Sequence, residues 1–265
     1  MEPAAIRSTA LITGASGGIG LALARQFARA GYQLVLVARD AARLDEQALA
    51  LAMEVSVPIT AIAKDLCRAG ACAALAAELE ARDLTVTVLV NNAGVGIYGA
   101  FGDSDPAAVE ALIALNITAL TTLTRLLLPG MRARRHGRIL NVASTAAFQP
   151  GPLMAVYFAS KAYVLSFSEA IAAELADSGV TVTCLCPGPT ATGFAARARM
   201  GASRLFQRGV MDSEQVAATG FRACIAGRRL VVPGVINNLH VAAVRLSPRW
   251  LVTRVVRALL AQSAG

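Results

Sequence analysis

Apolar residues in this chain fall into short unbroken runs, at 8–13, 33–38, 57–63, 85–90, 139–143, 180–186 and 229–232. Apart from the threonines in 85–88 and 180–183 they do not alternate with polar residues, as expected of strands covered on both faces. Between them lie longer amphipathic stretches with helical spacing: 19–30, 40–53, 68–81, a segment opened by Pro106, 117–135, the stretch that carries Tyr157 and runs to about 178, and 212–226. Gly31 closes the first of these, a common helix stop. This repeated β-α order predicts an α/β fold, a doubly wound parallel sheet of about seven strands with helices on both faces. One domain is expected over 1–265, with a core over 5–232 and a flap over 190–211. A helical extension over 235–261 is broken at Pro248.

Ligands in such sheets sit at the carboxyl ends of the strands, and those positions hold unusual residues here. The first run leads into Gly14-Ala15-Ser16-Gly17-Gly18-Ile19-Gly20 at the start of a helix. Glycines let a backbone approach closely, and the free N–H groups of a helix start suit a phosphate. A glycine turn alone would reflect only steric needs. The second strand ends Ala38-Arg39, where an acid would favour NAD and a base accommodates a 2′-phosphate. Arg39 therefore points to NADP(H), with Arg43 placed to assist; the bland alternative is an ordinary loop arginine. Asp40 suits a helix cap. Asp65 and Leu66 end the third strand, and Asn91-Asn92-Ala93-Gly94 follows the fourth as a polar turn. Asn116 lies in the apolar run LIALNITAL, either as a satisfied core amide or as a water-holding group that bends its helix. Ser144 ends the fifth strand. Tyr157 and Lys161, four apart, share a helix face. An ammonium beside a phenol is expected to lower the phenol's pKa toward the range useful for proton transfer. Pro187-Gly188-Pro189, then Thr190 and Thr192, end the sixth strand.

Hydrophobic residues make up 55% of 265, and mean hydropathy is +0.55, enough for a large core. No uncharged apolar run reaches the roughly 18 residues of a membrane span, and the N-terminus lacks a signal-like pattern. A cytoplasmic location is expected. Five cysteines without metal spacing read as buried thiols, including Cys184 and Cys186, and two histidines make zinc or histidine chemistry improbable. The net charge of +8 is uneven. Residues 1–189 hold 14 Lys/Arg against 15 Asp/Glu, whereas 190–265 hold 11 Arg against Asp212 and Glu214. That basic quarter is either a solvated surface or an attractor for an anionic substrate, partner or membrane. With aromatics at 5% and no recognition motif, nucleic-acid binding is not expected.

Taken together, these motifs resemble the short-chain dehydrogenase/reductase family, in its common single-domain Rossmann-type branch, over roughly residues 5–232. The resemblance implies a catalytic set of Asn116, Ser144, Tyr157 and Lys161. Tyr157 would be the general acid for ketone reduction and the base for alcohol oxidation. Lys161 would lower its pKa and bond the nicotinamide ribose, Ser144 would bond the substrate oxygen, and Asn116 would hold a relay water. Cofactor contacts would fall to Gly14, Ser16, Gly18, Ile19, Gly20, Arg39, Asp65, Leu66, Asn92, Ala93, Gly94, Tyr157, Lys161, Pro187, Gly188, Thr190 and Thr192. Val142 and Pro187 would lie along the nicotinamide. NADP-using relatives often carry a base just before the second motif glycine; here that position is Gly17, so the 2′-phosphate rests on Arg39.

The implied activity interconverts a ketone and a secondary alcohol with NADP(H). An apolar ketone is the first substrate expectation, a 3-oxoacyl thioester or steroid-type ketone the second. A non-catalytic NADP sensor is the rival of another class. A homodimer or homotetramer is expected, with the tail covering a second subunit; folding back over the site or lying on a membrane are the alternatives.

Overall fold

The computed structural model describes residues 8–198 and 210–261. Seven strands form one sheet: β1 (Thr9–Thr13), β2 (Gln33–Ala38), β3 (Ile59–Ala63), β4 (Val86–Asn91), β5 (Gly137–Val142), β6 (Val180–Leu185) and β7 (Leu230–Val231). Their order is β3-β2-β1-β4-β5-β6-β7, and every neighbouring pair is parallel. The strands lack alternation because both faces are buried. Ala10, Ile12, Leu34, Leu36, Val88 and Val90 enter one core with Leu23 and Phe27. The intervening Leu11, Val35, Val37 and Leu89 enter another with Leu75 and Leu123. Winding reverses between β1 and β4, which opens a crevice at their carboxyl ends.

The helices are α1 (Gly18–Arg29), α2 (Ala41–Glu54), α3 (Ala71–Ala81), α4 (Pro106–Ile113), α5 (Leu120–Ala133), α6 (Ala155–Glu174), the single turn α7 (Phe194–Arg197), α8 (Ser213–Ile225), α9 (Val235–Leu246) and α10 (Arg249–Leu260). Several boundaries differ from expectation for visible reasons. Helix α3 starts at Ala71 rather than 68, because Asp65 accepts from the Cys67 N–H and Gly70 takes a left-handed φ of 76°. The expected break before residue 117 is absent. A π-helical turn, Ala114–Ala119, joins α4 to α5, with Asn116 inside it. The joined helix, Pro106–Ala133, is long and apolar enough to cross a membrane, yet it packs on α3, α6 and β4.

The inner face of the tail takes the fold-back arrangement. Val252, Val256 and Leu260, spaced by four on α10, pack against Met154 and Phe158, so this face folds over the chain's own strand ends. Tyr98 Oη donates to the Leu260 carbonyl at 2.9 Å and pins the helix there. An apolar stripe already matched by an aromatic cluster in the same chain is not available to a second subunit.

Candidate active site

The phosphate-type turn is built around Thr13. Its Oγ1 donates to the Val90 carbonyl and accepts from the Asn92 and Ala93 N–H groups at 3.0 Å. Asn92 Nδ2 returns to the carbonyls of Thr13 and Gly14, at 2.9 and 3.2 Å. The ends of β1 and β4 are thereby laced together. Gly14 and Gly18 hold φ of 67° and 55°, where other residues are strained. A methyl at Gly20 would collide with the Gly14 carbonyl and Asn92 Nδ2. The first turn of α1 carries no acid, so its N–H groups face an electropositive opening suited to an anion.

A cleft of ≈ 940 Å³ runs from this turn across the strand ends. Ser16, Ile19, Arg39, Asp65 and Leu66 line one end of the expected site; Ala93, Gly94, Val142, Ser144, Tyr157, Lys161, Pro187, Gly188, Thr190 and Thr192 also line the cleft. Asp40 caps α2, accepting from the Arg43 N–H at 3.1 Å. Arg43 Nε donates to the Ser16 carbonyl at 2.9 Å, and its guanidinium covers Gly17, 3.1 Å from where a Cβ would stand. Thr192 packs on Gly18, which ties the segment after β6 to the turn after β1.

Ser144 caps a 3-10 turn, Thr145–Phe148, by accepting from the Ala146 N–H at 3.1 Å. Its hydroxyl donates to the Pro187 carbonyl at 3.4 Å and lies near the Tyr157 phenol. Tyr157 packs against Phe194 with ring centroids 5.2 Å apart. Lys161 is buried to 6% exposure and donates to the Val142 carbonyl at 2.9 Å. Its Nζ lies 5.8 Å from the Tyr157 ring centre. The expected acidification of the phenol is not what this geometry gives. Burial raises Tyr157 to about 12, against a smaller lowering by the Ser144 hydroxyl. Lys161 falls to about 8, again chiefly by burial. Desolvation opposes the charged form of each. The side chain of Asn116 is engaged at both ends. Nδ2 donates to the Val95 carbonyl and Ser160 Oγ, and Oδ1 accepts from the Val95 N–H. It clamps the loop after β4, and Oδ1 keeps one lone pair for a further donor.

Sequence reasoning missed several cleft residues. Gln149 and His240, ninety-one positions apart, meet at 3.1 Å. Met154, Val256, Leu259 and Leu260 line the apolar end with Phe194. Helical periodicity in the tail marks 252, 256 and 260 as one face, but not what that face meets. The flap residues Arg199, Met200, Arg204, Leu205, Phe206 and Arg208 lie outside the described residues.

A parallel sheet with a glycine turn at its switch point and a Ser-Tyr-Lys set at the neighbouring strand ends defines a Rossmann-type oxidoreductase. The chain belongs to the short-chain dehydrogenase/reductase family: the short chain dehydrogenase model matches residues 8–202. A putative ketoacyl reductase of the monensin polyketide synthase from Streptomyces virginiae is 35% identical over 232 residues, 87% of each chain. A short-chain dehydrogenase from Sphingobium yanoikuyae in complex with NADPH superposes with a TM-score of 0.80 at 35% identity, covering 90% of this chain and 94% of that one. A family member from Burkholderia phymatum in complex with NAD has a TM-score of 0.80 at 27% identity, covering 97% and 98%.

Proposed function

We propose that this chain is an NADP(H)-dependent oxidoreductase that interconverts an apolar ketone and its secondary alcohol. The observation that carries the reading is the meeting of Ser144, Tyr157 and Lys161 in the cleft that begins at the glycine turn. The turn's left-handed glycines and the acid-free start of α1 fit a diphosphate. Arg39 and Arg43 would take the 2′-phosphate, since the nearby Asp40 carboxylate is engaged as a cap. Asp65 and Leu66 would flank the adenine. When bound, the dinucleotide supplies the hydride.

The chain's own groups handle the proton. Ser144 orients a carbonyl oxygen toward the phenol. Tyr157, protonated at neutral pH, donates its proton to that oxygen during reduction. Lys161, beside Gly94, is positioned for the ribose next to the phenol. Asn116 fixes the Val95 loop that borders them. Phe194, Met154, Val256 and Leu260 exclude water and favour an apolar substrate.

A 3-oxoacyl thioester is the second reading, favoured by the exposed arginines of the last two helices, which also lend residues to the cleft. A panel of ketones and alcohols with NADPH and NADH tests the first reading. Comparing an acyl-CoA ketone with its free ketone at two salt concentrations separates the two, because only the charged substrate should lose rate with salt. Absence of turnover with every carbonyl, alongside tight NADPH binding, would leave a sensor instead.

A further inference from the structure

The outer side of α9 is the reverse of an ordinary surface helix. Val235, Leu239, Ala242 and Leu246 recur at helical spacing, with Ile236 and Ala243 beside them, and all six are exposed. Leu246 is 88% exposed and Ile236 83%. On α10, Leu251, Val255 and Leu259 form a second exposed stripe, every four residues. Trp250, Arg254 and Arg257 form the stripe next to it, with Trp250 68% exposed. Arg245 and Arg249 stand at the junction, the former over the Phe148 ring. Residues 235–261 contain four arginines and no acid. Val235, Ile236 and Leu259 also line the cleft, so the apolar surface continues into its mouth.

An apolar face edged by arginine and tryptophan is the pattern of a segment that lies in a membrane interface. A symmetric dimer through this face would bring the arginines against their own copies with no carboxylate from either tail to offset them. We propose that α9 and α10 seat on an anionic membrane surface, so that the cleft opens at the lipid and admits a lipophilic carbonyl from it. The arginines meet lipid headgroups while the two apolar stripes enter the acyl boundary.

Trp250 is the only tryptophan, so its emission reports this face alone. The full chain is titrated with vesicles of equal phosphatidylglycerol and phosphatidylcholine, and with phosphatidylcholine alone. The anionic vesicles are expected to shift Trp250 emission to shorter wavelength and to allow quenching by brominated acyl chains. Co-sedimentation should fall roughly tenfold or more for Arg249→Gln/Arg254→Gln. Leu239→Asp/Leu246→Asp, outside the cleft lining, should lose co-sedimentation and keep turnover in detergent-free buffer. Unmoved Trp250 emission in the parent overturns the proposal, even if a variant fails to fold. So does a dimer by light scattering that Leu239→Asp/Leu246→Asp dissociates. Dinucleotide binding is measured alongside, so failure here is distinct from failure of the proposed activity.

Discussion

Gly20→Ala tests the lacing of β1 to β4 most directly. The added methyl has no room beside the Gly14 carbonyl and Asn92 Nδ2. Either Asn92 gives up its bonds to Thr13 and Gly14, or the glycine turn moves. Two such bonds contribute about 1 kcal/mol each. Overpacking adds roughly 2 kcal/mol. Alanine returns at most about 1 kcal/mol in helix propensity. The net loss is therefore about 3 kcal/mol, a fall in Tm of roughly 6 to 12 °C for a chain of this size. Gly102→Ala is the control, because nothing lies within 4 Å of its Cβ position and its φ is ordinary; its Tm should stay with the parent. Thermal unfolding gives the stability, and quenching on NADPH titration gives the binding. Since the same carbonyl shapes the turn, Gly20→Ala should also weaken NADPH by at least about tenfold, the equivalent of 1.4 kcal/mol. A variant that melts with the parent and binds NADPH equally would refute both the lacing and the phosphate assignment.

Tyr157→Phe is expected to bind NADPH nearly as the parent does and to lose most turnover; retained ketone reduction would remove Tyr157 from the proton step. Arg39→Asp should move the ratio of kcat/KM toward NADH, and a parent that uses both cofactors equally would show that Arg39 does not select. Lys161 gives a stability signature. Its folded pKa of about 8 lies below the ordinary lysine value of 10.5, so the unfolded chain binds more protons between those values and stability rises with pH there. Relative to Lys161→Met, the parent should gain about 2 kcal/mol from pH 8 to 10 in denaturant titrations. Above pH 10 Tyr157 acts in the opposite direction, because its folded value is raised to about 12 and its contribution fades as the unfolded phenol ionises.

The sheet was legible because its signal is local. A largely apolar run such as 33–38 states its own burial, and a glycine turn or an Asn-Asn-Ala-Gly turn declares itself within a few residues. Partners distant along the chain were not legible. Nothing near Asn116 indicates that its amide closes on Val95 and Ser160, or that a π turn accommodates it. The same holds for Gln149 with His240. The Tyr157–Lys161 spacing correctly placed both groups on one helix face, but spacing carries no information on solvation. Burial then decided the direction of the phenol's pKa.

The end of the chain shares in that burial. Tyr157 sits among Phe158, Phe194, Met154 and the inner residues of α10, in one apolar cluster. Val256 and Leu260 are held in it by their own packing and by Tyr98, which bonds the last helical carbonyl of Leu260. The tail therefore does more than cap a sheet. Exclusion of water makes the phenolate costlier than in an ordinary tyrosine, so the phenol, protonated at neutral pH in any case, is held further from the ionised state that a base for alcohol oxidation would need. A tail that also meets the lipid through its outer face would couple the two: the surface that admits an apolar carbonyl and the surface that holds the proton for it are opposite sides of the same helix.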